Sequence, residues 1–151
     1  MNSISVRKIE FQSSEYADEL KLRERVLRLP IGLHLSLADT EHDSTDKHIC
    51  AFLSDPNGSE TMVGCCLMRE LSKTDVKMRQ VAIDSNVQGQ GLGSRLVGEF
   101  EKLARSRGYT QVFLDARESA IHFYLRLGYV VTSELFTQVS VPHKKMMKKL
   151  V

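Results

Sequence analysis

Three glycines, Gly89, Gly91 and Gly93, fall within five positions of the segment "VQGQGLGSRLV" (87–97) and constrain the fold more than any other feature. Glycine inside a helix costs about 1 kcal/mol relative to alanine, so these residues need another explanation. Glycine permits positive φ and close main-chain approach, and the first N–H groups of a helix have no partners. The segment therefore predicts a phosphate or pyrophosphate site at a strand-to-helix junction. The alternative is a tight turn without a ligand.

The two best-known phosphate loops match this segment poorly. The P-loop pattern needs Lys followed by Ser or Thr after the glycines, whereas Ser94 is followed by Arg95. The dinucleotide pattern G-x-G-x-x-G is met by Gly89 and Gly91 but has Ser94 at its third position. That pattern also needs a βαβ unit, and the strands before the loop are predicted to be antiparallel.

Hydrophobic periodicity predicts the order of elements around the loop. "ISVRKIEF" is predicted as a strand, and a helix is predicted from an N-cap at Ser14 to Pro30, with Tyr16, Leu20 and Leu27 on one face. Residues 31–47 are predicted as an ordered loop or a broken short helix. The remaining predictions are three antiparallel strands (48–54, 61–71, 75–84), a helix (92–108), a strand (110–116), a short helix (118–129) and a strand (129–136). The tail from 141 onward is predicted as either a helix or an edge strand.

Composition narrows the class of protein. With 21 basic and 19 acidic residues the net charge is +2, which gives no electrostatic footprint for nucleic acid or for a membrane surface. No apolar run is long enough to span a membrane and the first residues lack a signal-peptide core, so we expect one cytoplasmic domain over residues 1–151. The thiols and imidazoles lack the spacing of a metal site, so no metal is expected and the cysteines are predicted to be reduced; these residues are Cys50, Cys65, Cys66, His34, His42 and His48.

Two motifs give the chain a specific resemblance. Gln88, Gly91 and Gly93 match [Q/R]-x-x-G-x-[G/A], and "ARESAIHFYLRLGYVV" contains a second pattern, A-x-x-F-Y-x-x-x-G-[FY]. The chain thus resembles the GNAT superfamily of N-acetyltransferases, and "VPHKKM" resembles the Pro-His-x-x-Met run of a small bacterial branch. The resemblance implies an α/β fold of the α+β type, in which a central, mostly antiparallel twisted sheet is splayed after strand 4 and flanked by helices.

The resemblance also implies a function, an acetyl-CoA-dependent N-acetyltransferase that moves an acetyl group directly to a primary amine of a small molecule or peptide. The main-chain N–H of Val81 is the implied oxyanion donor, and Tyr124 is the implied acid that protonates the leaving sulfur, although Tyr124 could instead be a core residue. The implied cofactor-binding residues are Val81, Ala82, Ile83, Gln88, Gly89, Gln90, Gly91, Leu92, Gly93, Ser94, Asp115, Ala120, Phe123 and Tyr124. Many relatives carry asparagine in place of Asp115, which puts that contact in doubt because a carboxylate cannot donate a hydrogen bond.

The acceptor side is less defined by the sequence. The candidate general bases are Glu70, Glu118, His143, Glu41 and Asp43. The acidic loop 39–46 could attract a cationic amine, and the lysines 144, 145, 148 and 149 are predicted to form a solvated edge that discourages aggregation. A homodimer is compatible with the resemblance. A non-catalytic acyl-CoA-binding sensor or partner module is the alternative function.

Overall fold

The computed structural model of the protein describes residues 2–150. Its strands are β1 (Ser3–Ile9), β2 (Lys47–Ser54), β3 (Glu60–Glu70), β4 (Asp75–Ile83), β5 (Gln111–Arg117), β6 (Val130–Val131), β7 (Phe136–Gln138) and β8 (Val141–Lys149). Its α-helices are α1 (Ser14–Arg23), α2 (Leu37–Thr40), α3 (Leu92–Ser106) and α4 (Ile121–Arg126). A π-helical turn (Glu24–Arg28) and a 3₁₀ turn (Leu29–Ile31) extend α1, and further 3₁₀ turns cover Ser85–Val87 and Glu118–Ala120.

The strands form one sheet in the order β1-β2-β3-β4-β5-β8-β6, with β7 also paired to β8. Six of the pairings are antiparallel. The exception is β4 with β5, which run parallel and pair only over Asp75–Lys77 and Gln111–Phe113. The predicted fold class, a mostly antiparallel sheet with helices on its faces, is confirmed.

Helices cover the two faces of the sheet. Leu22 of α1 packs with Cys50, Cys65 and Ala82 on one face, while Cys66 lies on the opposite face among the apolar residues of α3. The three cysteines are buried free thiols, and adjacent Cys65 and Cys66 point to opposite faces as the sequence predicted. The helix α3 has fifteen residues, and within residues 2–150 no helix is long and apolar enough to cross a membrane.

The first helix differs from its prediction in three respects. Ser13, rather than Ser14, is the N-cap, because its Oγ accepts the Tyr16 N–H at 3.3 Å. The α-helical part ends at Arg23 and continues as π and 3₁₀ turns. Its most buried face consists of Glu19, Leu22 and Arg23 in place of the predicted apolar stripe, so two of its three most buried side chains are charged.

The C-terminal predictions also need correction. The tail is a strand, but β8 lies inside the sheet, between β5 and β6, and is not an edge strand. The ammonium group of Lys148 donates to Glu101 at 3.0 Å and to the Leu127 carbonyl at 2.7 Å, so this lysine is not part of a solvated edge. The predicted strand 129–136 is reduced to Val130–Val131, and a separate strand begins at Phe136.

A buried ionic network centres on Arg23, whose side chain is fully buried. The guanidinium donates to Glu19 at 3.2 Å, to Asp43 at 2.8 Å, to the Asp39 carbonyl at 2.8 Å and to Gln80 Oε1 at 3.1 Å. These bonds connect α1, the loop 37–46 and β4. Breaking such a pair by removing one partner leaves an uncompensated buried charge.

Two further side chains complete this network. His48 Nδ1 lies 2.9 Å from Glu19, and its Nε2 lies 2.8 Å from the Asp43 carbonyl. Burial lowers the pKa of His48, but the neighbouring Glu19 carboxylate outweighs this effect, and the net pKa is raised. Tyr16 donates its hydroxyl to Asp43 at 2.6 Å. The Glu19 carboxylate is therefore contacted from α1 and β2, whereas the Asp43 carboxylate is contacted by Arg23 and Tyr16 of α1.

Replacement of Arg23 by methionine is expected to lower the free energy of unfolding by about 3–5 kcal/mol, because Glu19 and Asp43 lose their buried counter-charge. The matched control is Arg25→Met, since Arg25 forms an ion pair with Asp84 at 2.7 Å but its side chain is 54% exposed. That control should lose about 0–1 kcal/mol. Urea unfolding of both variants measures the difference, and equal losses would contradict a special role for Arg23.

Candidate active site

A β-bulge in β4 shapes the centre of the sheet. The pairing with β3 passes from Cys65 opposite Ala82 to Leu67 opposite Arg79, which leaves Cys66 facing two residues, Gln80 and Val81. Gln80 has a φ of 52°, a left-handed conformation that is uncommon for a residue other than glycine. Its side chain is held by Arg23 and its carbonyl accepts from the Cys65 thiol at 3.5 Å. The buried network therefore holds Gln80, the bulge residue with the left-handed conformation, in place.

The bulge reverses the alternation of side chains along β4. Before it, Val76 and Met78 pack on the α3 side of the sheet. After it, Ala82 packs with the α1 side, and Val81 and Ile83 pack with the α3 side. Because side chains alternate with a period of two, a single inserted residue produces this change.

Beyond the bulge, β4 and β5 separate. Their pairing stops at Lys77 and Phe113, whereas β5 continues to Arg117 on its other side with β8. The β4 segment from Met78 onward therefore lacks a strand partner on the β5 side, and an opening forms between the two strands. The predicted splay of the sheet is confirmed. Such an unpaired strand edge can pair with amide groups of a ligand.

The glycine loop presents free main-chain donors. Gly89 and Gly91 have φ values of 83° and 77°, and a Cβ atom built on either residue would meet no atom within 4 Å. Among residues 2–150, the N–H groups of residues 88–91 find no protein acceptor, and Gly91 is the N-cap of α3 without a side-chain cap. The next three N–H groups belong to the first turn of a helix, where intrahelical partners are absent. The loop thus retains its capacity to bind an anion.

Gly93 has a different structural role. A Cβ atom on Gly93 would lie 3.1 Å from the ring of Phe123, so the absence of a side chain allows α3 to approach α4 closely. The Gln88 side chain also has a local role, since its Nε2 donates to the Ile83 carbonyl at 3.1 Å. That bond ties the loop to the end of β4 and uses one lone pair of the carbonyl.

Two cavities meet at the splayed strands. We call the first the loop cavity, of about 610 Å³, which is bounded by the glycine loop, Val26, Val81, Ile83, Val87, Ser119, Ala120, Phe123, Tyr124 and Arg126. We call the second the strand cavity, of about 170 Å³, which lies between β4 and β5 and is bounded also by Leu27, Arg28, Ser119, Ala120, Tyr124, Gln138, Val139 and His143. Both are lined by Val81, Ser119, Ala120 and Tyr124. The two sequence motifs are thereby brought to one place.

Tyr124 lies where the cavities meet and is 7% exposed. Its ring packs edge-on against Phe123 and Tyr129, with centroid distances of 5.0 and 5.7 Å. Burial raises the pKa of its hydroxyl, with a smaller contribution from Cys66, so the phenol stays protonated. Tyr124 therefore packs against neighbouring aromatic rings and also lines both cavities, and its hydroxyl group is protonated.

The five candidate bases lie in different surroundings. His143 lines the strand cavity, and its Nδ1 faces the Val141 carbonyl at 2.8 Å, which leaves Nε2 as the nitrogen with a free lone pair. Asp43 is buried in the Arg23 network. Glu70 accepts from the Tyr109 hydroxyl, outside both cavity linings. Glu41 and Glu118 are exposed and belong to neither lining.

Three of the four carboxylates of the acidic loop 39–46 are paired with arginines, which does not favour a cationic-amine site there. Asp39 is bound by Arg28 at 2.7 Å and Asp43 by Arg23 at 2.8 Å. Asp46 likewise pairs with Arg69 at 3.1 Å. These carboxylates point inward because each neutralises a buried or half-buried arginine, and only Glu41 of the predicted cluster is exposed.

Three cationic residues of the strand cavity were not among the site residues predicted from the sequence, whereas Asp115, which lines the same cavity, was. Lys77, Arg79 and Arg117 all line it, and Asp115 is held there by Lys77 at 3.0 Å and by Lys145 at 3.3 Å. These two ion pairs, after the opposing effect of burial, keep the pKa of Asp115 below its usual value. The alternation of charged Lys77 and Arg79 with apolar neighbours in "DVKMRQ" is the signal that could have located this cationic face.

Two curated relatives match part of the chain. YyaT of Bacillus subtilis (strain 168) is 30% identical over 74 residues, which cover 49% of this chain and 50% of that protein. The glucosamine 6-phosphate N-acetyltransferase of Trypanosoma brucei brucei is 35% identical over 52 residues, which cover 34% of this chain and 35% of that protein. The matched segments thus span half or less of the length of these relatives.

Solved structures match nearly the whole fold. An acyl-CoA N-acyltransferase from Pseudomonas aeruginosa superposes with a TM-score of 0.78 at 20% identity, covering 98% of this chain and 99% of that one. An aminoglycoside 6'-N-acetyltransferase complexed with coenzyme A gives a TM-score of 0.72 at 18% identity, with 97% of each chain covered. At these identities the likeness is one of fold. The model of the acetyltransferase (GNAT) family matches residues 12–129, and the chain therefore belongs to that family.

Proposed function

We propose that this protein is an acetyl-CoA-dependent N-acetyltransferase that transfers an acetyl group directly to a primary amine of a small molecule or peptide. The observation that carries the proposal is the meeting of the two cavities at Val81 and Tyr124. One cavity opens on unpartnered amides and the other lies between the splayed strands, so two substrates can reach the same point from different sides. Membership of the acetyltransferase (GNAT) family supports this proposal.

The residues of the loop cavity suit coenzyme A. The free N–H groups of residues 88–91 and the start of α3 form a cradle for the pyrophosphate. The unpaired edge of β4 at Val81–Ile83 offers main-chain groups to the pantetheine amides, although the Ile83 carbonyl already accepts one bond from Gln88. When bound, acetyl-CoA supplies an activated acetyl thioester with a thiol leaving group.

Three groups of the chain can act as the oxyanion donor, the proton acceptor and the proton donor of the transfer. The Val81 N–H, at the bulge, stabilises negative charge on the thioester oxygen as the amine nitrogen bonds to the carbonyl carbon. His143, through Nε2, accepts the proton that the amine loses. Tyr124, which lines both cavities, gives its proton to the sulfur as the carbon–sulfur bond breaks.

Replacement of Gly91 by valine should strongly weaken coenzyme A binding, because the new side chain occupies open space at the anion cradle. The matched control for backbone strain is Gly58→Val. Gly58 lies in the β2–β3 turn with a φ of 86°, and a Cβ atom there would also meet no atom within 4 Å. Both variants should lose stability by about 1–2 kcal/mol. Only Gly91→Val should lose affinity for coenzyme A, by about tenfold or more in titration calorimetry; equal affinities would contradict the cradle.

Removal of the Tyr124 hydroxyl is expected to lower the turnover rate by about 100-fold, the effect of losing a general acid. Tyr124→Phe keeps the ring contacts with Phe123 and Tyr129, so affinity for coenzyme A should stay unchanged. The control is Tyr109→Phe, whose hydroxyl contacts Glu70 instead of a cavity. Thiol release from acetyl-CoA provides the measurement, and a full rate in Tyr124→Phe would remove the acid role.

The same assay tests the proton acceptor. His143→Gln should slow thiol release by about 100-fold at saturating amine. His42→Gln is the matched control, because the His42 side chain is 53% exposed and lies outside both cavity linings, and it should retain the parent rate. If both variants turn over equally fast, His143 takes no proton in the reaction.

The experiment that decides the function is thiol release from acetyl-CoA with a broad panel of amines. Release with at least one amine, together with acetylated product, supports the enzyme. The alternative is a non-catalytic acyl-CoA-binding module that serves as a sensor or partner. That alternative predicts stabilisation by coenzyme A against thermal unfolding but no release with any member of the panel.

A further inference from the structure

The strand cavity has an excess of positive charge. Its cationic lining residues are Arg28, Lys77, Arg79 and Arg117, and among the described residues that line it the one carboxylate is Asp115. Charges beside a partly buried cavity interact more strongly than charges in open water. The number of carboxylate partners around each cationic residue therefore determines which ligand charge the cavity favours.

Three of the four cations have a carboxylate partner. Arg28 donates to the two oxygens of Asp39 through Nε and Nη2, at 3.1 and 2.7 Å, so this cation has a carboxylate of its own. Lys77 binds Asp115, but that carboxylate is shared with Lys145. The lysine pair thus has one negative charge for two positive charges.

Arg79 is also incompletely neutralised. It lies 3.4 Å from Asp46, whose two oxygens accept from Arg69 at 3.1 Å each. Burial and the nearby Arg69 guanidinium lower the pKa of Arg79 despite the presence of Asp46. One carboxylate again serves two cations.

Arg117, at the end of β5, has no carboxylate partner within 4.0 Å among residues 2–150. Its Nη2 donates to the Leu27 carbonyl at 2.5 Å, and that carbonyl also accepts from Arg28 at 3.1 Å. Two guanidinium groups therefore lie against one oxygen atom. Burial and the charge of Arg28 lower the pKa of Arg117, which shows that its surroundings are unfavourable to a further positive charge.

A half-buried guanidinium with free donors beside a cavity is suited to bind an oxyanion. Arginine carries five N–H donors in a planar fork that matches carboxylate and phosphate groups. Such charge-assisted hydrogen bonds are stronger than those between neutral groups. A cationic amine, by contrast, would add a positive charge to a cavity that already has an excess.

We propose that the acceptor carries a carboxylate or phosphate group in addition to its amine, and that Arg117 in the strand cavity binds this anion. The inference rests on the proposed function, because it assigns the strand cavity to the acceptor. The amine would lie toward Val81 and Tyr124, which line the same cavity, and the anion toward the end of β5. Neither the glycine loop nor its amides contribute to this subsite.

The test compares amines that differ in one group, with acetyl-CoA as donor. Ethanolamine is paired with O-phosphoethanolamine, and β-alanine amide with β-alanine, while cadaverine provides a second positive charge. In the parent protein, kcat/KM should be at least about tenfold higher for one anionic member than for its neutral partner. The two pairs separate a phosphate from a carboxylate preference. Equal or better rates with the neutral or cationic amines would overturn the proposal.

Arg117→Gln should remove this discrimination. Loss of a hydrogen bond to a charged group, about 1.5–3 kcal/mol, corresponds to a decrease of about 10- to 150-fold in the ratio of kcat/KM between the anionic and neutral members. Arg107→Gln, at the exposed end of α3, is the control and should keep the parent ratio. If Arg117→Gln slows both members of a pair equally, the arginine has only a structural role and the subsite is absent.

A binding readout separates this inference from the proposed function. Thermal unfolding is followed in the presence of coenzyme A with each probe compound added. Stabilisation by O-phosphoethanolamine or β-alanine, lost in Arg117→Gln, supports the subsite even if no amine releases thiol and the transferase proposal fails. Absence of any such stabilisation, together with release from neutral amines, would overturn the subsite and leave the transferase intact.

Discussion

The guanidinium of Arg23 is the interaction on which the arrangement of this sheet depends. It reaches from α1 to two carboxylates, a main-chain carbonyl of α2 and the side chain of Gln80, all within 3.2 Å. Burial of a charged group is unfavourable unless the charge is paired and its donors are satisfied. Here the pairing is achieved by segments far apart in sequence, so the network couples the first helix to the strained residue of β4.

The cavities depend on that strained residue. A regular β4 would continue its pairing with β3 and would direct Val81 to the opposite face. The bulge instead places Val81 and Ile83 on the α3 side, toward the glycine loop, while the preceding Lys77 and Arg79 line the strand cavity. A change of one residue in register thus directs one end of β4 to the glycine loop and the other end to the strand cavity.

The sequence could predict the parts of this arrangement that are local. Periodicity and the two motifs located the glycine loop, the helix after it and the position of Tyr124. It could not predict the Arg23 network, because Glu19 and Arg23 have the i, i+4 spacing of an ordinary exposed pair and their burial depends on the loop 37–46. The same tertiary contacts explain why the sequence alone could not predict the pairing of the carboxylates in the acidic loop. Its carboxylates are partners of arginines that lie elsewhere in the chain.

The position of β8 has a consequence for the order in which the chain can fold. Along its whole length β5 pairs with β8, and its pairing with β4 covers only three residues. The inner strand β5 is therefore complete only after a segment synthesised about 25 residues later has inserted between it and β6. Until that insertion, the N–H and C=O groups along one edge of β5 lack strand partners, and such unpaired edges are sites at which other chains can pair.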